Sequence, residues 1–193
     1  MTETENYDAL MQLLRRRHSC RSFAPDPVDE KMLQSLSDAF ALAPQAGGDR
    51  DLRCRFITDR ATIRDLAERG KEAFSAFCQD ITSPPIREEV ARYGENFFWF
   101  DEAPVLVAVI CRKTPAFLTG VADEHKGALI WGGELSAAMA SFSLLLAAEA
   151  IGLGACCLTG SLIAWREIES LLHISKRDSL VLLIALGHKK ALD

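Results

Sequence analysis

A fold mixing helices with a small sheet, α+β or α/β, is predicted for this chain by three observations. Two aliphatic runs, 105–110 and 180–186, have the length and composition of fully buried strands. Segments with apolar residues at helical spacing lie before and between them. No internal repeat, low-complexity tract or linker interrupts the 193 residues, so a single domain over 1–193 is expected.

Taken in order, residues 7–16 read as a helix with Leu10, Leu13 and Leu14 on one face. Residues 19–27 carry two prolines and read as extended. A second helix over 29–42 has Met32, Leu33, Leu36, Ala39 and Phe40 as its buried stripe. Pro44 ends it, and 45–51 reads as a loop containing Gly47-Gly48. Residues 53–58 alternate and read as a short strand. A helical pattern over 61–77 is interrupted by Gly70. The stretch 78–96, with Pro84-Pro85, holds one short helix. After the strand at 105–110 a loop runs to about 127. Residues 135–151 form a long helix, apolar nearly all round, between Glu134 and Glu149. Such a helix must be covered on nearly every side. A short strand at 155–158, a helix at 165–172 and the strand at 180–186 complete the chain.

Composition removes several classes of function. Net charge is −5, so the surplus of Lys and Arg that general nucleic-acid binding requires is absent. The first residues are polar and acidic, unlike a secretory signal. The longest strongly apolar stretch, 135–148, is shorter than the ~20 residues that span a bilayer. A soluble, cytoplasmic protein with no membrane partner is expected. The six cysteines show no CxxC and no regular spacing, which argues against disulfides. Cys156-Cys157 reads chiefly as two small buried hydrophobes, with a redox or metal role as the other reading.

Arg15-Arg16-Arg17-His18 is a basic cluster in an acidic protein. One reading is a helix C-terminus whose macrodipole the cations complement. The next residues add another. Arg17, Ser19 and Arg21 are spaced by two and in an extended segment share one face. Two guanidinium forks around a hydroxyl make a cradle for a dianionic phosphate. The spacing suits a carboxylate or a surface ion-pair network as well. Gly152-Leu153-Gly154 follows a helix rather than a strand, so Gly152 reads as a C′ residue and not as a dinucleotide fingerprint. Histidines 18, 125, 173 and 188 have no metal-ligand spacing, and no nucleophile–base pair stands out. That pattern suits an enzyme whose cofactor does the chemistry.

Several segments together resemble the nitroreductase family of FMN enzymes. They are Arg17-His18-Ser19-Cys20-Arg21-Ser22-Phe23, then Ala43-Pro44 at a helix end. Gly152-Leu153-Gly154-Ala155-Cys156, Leu158-Thr159-Gly160 and Gly187-His188 follow in the family's order. The resemblance implies an α+β nitroreductase-like fold with a mixed, mainly antiparallel sheet flanked by helices. It implies a homodimer about the helix at 135–151, with FMN at the interface. Arg17, His18 and Ser19 would lie at the FMN phosphate, and Arg21 at the ribityl chain or the N1/C2=O edge. Thr159 and Gly160, after Leu158, would present backbone N–H near N5, and Asn96 would bond the pyrimidine. Pro44, Gln45 and Ala46 would flank the ring from the partner subunit. Lys189 or Lys190 would replace a cation that many members carry beyond the last strand. The loop 44–52 lacks the family's Asn, Gln and Trp, and Phe142-Ser143 stands for its Gln-Asn pair. The implied activity is a two-electron, ping-pong reduction of a nitroaromatic or quinone-type acceptor by NAD(P)H. Two other readings are a non-catalytic flavin- or nucleotide-binding protein on the same scaffold, and a specialised dehydrogenation of a modified peptide. Phe97-Phe98-Trp99-Phe100 is either a pocket wall or core packing.

Overall fold

A computed structural model describes residues 2–45, 52–113 and 132–190. Four strands form one sheet: β1 (Leu52–Ile57), β2 (Val105–Arg112), β3 (Leu153–Leu158) and β4 (Asp178–His188). Their order is β1-β2-β4-β3, and each neighbouring pair is antiparallel. A parallel bridge joins Ser19 to Ala155.

The period of two along β2 builds two cores. Leu106, Ala108 and Ile110 face one side, and Val105, Val107, Val109 and Cys111 the other. This explains why 105–110 is apolar at every position. The strand is central in an antiparallel sheet covered on both faces. Opposite Val109 and Ile110, β4 carries an extra residue, Val181, so that Val109 pairs with Leu182 and Ile110 with Leu180. The irregularity lets Leu180 and Leu183, an odd distance apart, enter the same core.

Helix α1 (Glu3–Arg16) starts with a capping box in which Thr2 and Glu5 bond each other's backbone. None of its residues is buried, and Tyr7 and Leu10 are exposed, so the expected stripe is only partly covered. Helix α2 (Glu30–Ala41) is capped by Asp29 and buries Leu36 and Phe40. Helix α3 (Arg60–Gln79) is capped by Asp59 and runs unbroken through Gly70. A β-carbon at Gly70 would stand 2.2 Å from the Phe98 ring. The glycine is therefore a notch for an aromatic side chain, not a break. Helix α4 (Pro84–Gly94) opens on the two prolines, whose fixed φ suits a first helical turn. Helix α5 (Gly132–Ala150) and the short α6 (Trp165–Leu171) follow among the described residues.

Helices α2 and α5 pack on one face of the sheet, and α3 and α6 cover the other. Helix α5 buries Ala137, Ala140, Leu144 and Ala148 but leaves Leu135, Met139 and Phe142 at 60%, 44% and 43% exposure. These three share a stripe at i, i+4, i+7. The expected all-round cover is thus absent within one chain. Gly152 follows α5 with φ 84°, which confirms the C′ reading. Among the described residues no helix is long and apolar enough to cross a membrane.

Candidate active site

The segment after α1 is extended and tied down at both ends. Cys20 N–H donates to Ala155 O at 3.1 Å, and Ala24 N–H to His188 O at 2.9 Å. Phe23 pairs with Lys189 as an isolated bridge. The chain can lie this close to β3 because residue 154 is glycine. A β-carbon there would stand 2.6 Å from Cys20 Sγ and 2.8 Å from Cys20 Cβ.

Arg17, Ser19 and Arg21, spaced by two along this segment, all lie close to one residue of β3, Cys156. All three act on the Cys156 thiol. Burial pushes that thiol above its ordinary pKa, while Arg21, the Ser19 hydroxyl and Arg17 pull the other way. Burial also raises Cys157, against the pull of Arg17. Both thiols are therefore protonated at neutral pH. Arg17 is half-buried, whereas Ser19 and Arg21 are exposed.

Beside this cradle lies a cavity of about 630 Å³ that Arg21, Asn96, Leu158, Thr159 and Gly160 line together. Five expected site residues, from three separate stretches of chain, thus share one space. Its aromatic wall comes from Tyr93, Phe97 and Trp99. Phe97 meets Tyr93 edge-on at 5.4 Å, and Trp99 stacks on Phe23 at 6.2 Å. Ser161 Oγ donates to Phe97 O and ties this wall to the turn after β3. The run 97–100 is both of the things its sequence allows. Phe97 and Trp99 line the cavity, while Phe98 and Phe100 are buried in the core. Cys156 and Cys157 also line it, so they are more than core filler.

Other expected residues lie elsewhere. His18 is exposed, with Nδ1 3.0 Å from Arg16 O. Lys189 Nζ is 2.7 Å from Glu149 Oε2. Lys190 belongs to a separate groove with Phe23, Arg60 and Arg64. Pro44 and Gln45 do not line the cavity of their own chain, and among the described residues the buried Gln45 Oε1 has no hydrogen-bond partner. Ala46 lies outside the described residues. Sequence reasoning missed Tyr93 and Ser161, whose roles depend on the path of the chain between α4 and β2. Tyr93 had one usable signal, its position four residues before Phe97.

The profile of the nitroreductase family matches residues 14–188. The chain belongs to the nitroreductase family. Among its relatives, a 5,6-dimethylbenzimidazole synthase from Rhodobacter capsulatus is 29% identical over 153 residues, covering 79% of this chain and 70% of the relative. A solved BluB-like flavoprotein from Clostridium difficile is 22% identical with a TM-score of 0.80, covering 95% of this chain and 92% of that one. A nitroreductase with bound FMN from Bacteroides fragilis is 20% identical with a TM-score of 0.71, covering 95% and 91%. FMN, the cofactor implied by the sequence, is thus held by a solved protein of the same nitroreductase fold.

Proposed function

We propose that this nitroreductase-family chain is an FMN-dependent oxidoreductase that passes two electrons from NAD(P)H to a small conjugated acceptor. The carrying observation is that Arg21, Asn96, Leu158, Thr159 and Gly160 line one cavity, with Arg17 and Ser19 converging on Cys156 at its wall. The donor set fits the cofactor. Two guanidinium groups and a hydroxyl suit its phosphate, and an amide and a cation suit a heterocycle edge. The cavity volume lies within the ~300–1,000 Å³ of small-molecule sites.

Bound FMN supplies the redox chemistry. Arg17 and Ser19 would hold the phosphate. Arg21 would reach the ribityl chain or ring edge, where its charge favours a reduced, anionic ring. Asn96, Thr159 and the backbone at Gly160 would orient the heterocycle. Phe97, Trp99 and Tyr93 offer flat surfaces to a conjugated acceptor. The site would be completed across a homodimer interface, with Pro44, Gln45 and Ala46 contributed by the partner subunit.

Purified protein should be yellow or should take up added FMN, and it should oxidise NADH or NADPH when a quinone or nitroaromatic is present. Arg17→Ala and Arg21→Ala should each weaken FMN binding by roughly 1.5–3 kcal/mol, the scale for hydrogen bonds to charged groups. A protein that neither holds nor binds flavin overturns the reading. A bound flavin that neither nicotinamide reduces favours the non-catalytic binder instead.

The Rhodobacter relative favours a second reading, that the chain is a 5,6-dimethylbenzimidazole synthase. Mass spectrometry of the products formed from FMN and NADH in air separates the two readings, because only the synthase releases that base.

A further inference from the structure

A groove of about 510 Å³ adjoins the cavity. Glu102 lines both spaces, and Phe23, in the groove, stacks on Trp99, in the cavity wall. Four cations line the groove: Arg60, Arg64 and Lys71 on α3, and Lys190 just after β4. The three on α3 stand at i, i+4 and i+11 and share one helix face. Lys190 N–H donates to Ser22 O at 3.3 Å, which holds Lys190 beside Phe23.

Two of these cations are already engaged. Arg60 Nη1 donates to Glu102 O at 2.9 Å, and Lys71 Nζ lies 3.2 Å from Asp101 Oδ2. Both tie α3 to the short turn Trp99–Glu102. Arg64 and Lys190 have no side-chain hydrogen bond or ion pair among the described residues. Arg64 stands four residues before Glu68 without pairing with it, and that order is the less favourable one for such a pair. Helix stability does not account for the arginines either. They occupy the first two turns of α3, where the dipole disfavours positive charge, and no acidic residue lies in the first turn. With Asp101 neutralised by Lys71, the remaining cations outnumber the carboxylates Glu68 and Glu102. Free cations of this kind suit phosphate oxygens, and carboxylates accept hydrogen bonds from ribose hydroxyls.

We infer that this groove binds a phosphate at the adenosine end of the nicotinamide dinucleotide, while the nicotinamide enters the adjoining cavity. The inference rests on the proposed reading that NAD(P)H is the electron donor. Arg64 and Lys190 are the phosphate ligands. The donor and the flavin thus use separate sets of cations, since neither residue belongs to the Arg17-Ser19-Arg21 cradle.

The test titrates the full chain, as purified, with 2′,5′-ADP and with adenosine, which lacks phosphate. The fragment 2′,5′-ADP should bind at least tenfold more tightly than adenosine. Arg64→Gln and Lys190→Gln should each weaken 2′,5′-ADP about tenfold, the scale of one hydrogen bond to a charged group. Arg64→Gln should leave the affinities for adenosine and FMN unchanged. In turnover, Arg64→Gln should raise KM for the dinucleotide at unchanged kcat. A rise confined to NADPH assigns the groove to the 2′-phosphate, and an equal rise with NADH assigns it to the diphosphate. Variants that bind 2′,5′-ADP as the wild type does overturn the inference, as does an equal loss for adenosine. A wild type that takes up FMN yet binds 2′,5′-ADP no better than adenosine overturns the inference alone. One that takes up no FMN overturns the proposed function and the inference with it.

Discussion

At the scale of single residues, the site depends on what is missing from position 154. The cradle segment runs beside β3, with Ser19 bridged to Ala155, and the atoms nearest to a β-carbon added at Gly154 include Cys20 Cβ, which cannot swing away without its backbone. Gly154→Ala should therefore push Ser19 and Arg21 off the strand. The expected result is a loss of about 1–3 kcal/mol in stability, the range for overpacking, together with weaker FMN binding. Thermal melting and a flavin titration check this. A variant with wild-type melting temperature and affinity would show that the segment yields freely. The sequence displays the glycine plainly, but it cannot say which side chain lies above it. Gly70 makes the same point, since a residue read as an interruption is the notch for Phe98.

At the scale of elements, β1, β2 and β4 are clasped at one end by Asp178. This carboxylate is 5% exposed, lies 2.7 Å from Arg53 Nη2 and has Arg112 Nε 3.2 Å from its Oδ1. Its backbone N–H donates to Ser175 O at 2.9 Å, which fixes the start of β4. Removing one member of a fully buried pair costs about 3–5 kcal/mol, but both arginines are partly solvated here. Asp178→Asn should cost about 1–3 kcal/mol in denaturant unfolding and leave flavin affinity near wild type, because the clasp lies away from the cavity. A loss of flavin binding at unchanged stability would contradict that separation. The strands and helices themselves were legible in the sequence to within a few residues. The long α5 and the central β2 were clearest, because full burial leaves an unbroken apolar record. The pairing at Asp178 was not legible, since its partners are 125 and 66 positions away in the chain.

At the scale of the whole molecule, the open question is the stripe of Leu135, Met139 and Phe142. It continues the apolar character that covers the other side of α5, yet it faces outward in one chain. Helix α1 adds exposed Tyr7 and Leu10 and buries nothing. The proposed homodimer would cover this stripe. A homodimer about α5 is the expected state. Leu135→Glu with Phe142→Glu should shift the protein towards monomer in light scattering after gel filtration, with loss of flavin if the partner completes the site. A monomeric wild type that retains flavin would remove the dimer from the proposal.

The sequence by itself determined the element types, the Arg17-Ser19-Arg21 spacing and the family, because each depends on local periodicity or on motifs in order. It also marked Asn96, Thr159 and Gly160, though only through the family pattern. Tertiary structure alone decided which of these share a cavity. It sent Phe97 and Trp99 into the cavity wall and Phe98 and Phe100 into the core. It also set Lys189 on Glu149 rather than leaving it free for a phosphate. The physical reason is the same in each case. A side chain's chemistry is written in the sequence, but its partner is set by where distant segments cross, and burial then fixes which charges must neutralise each other.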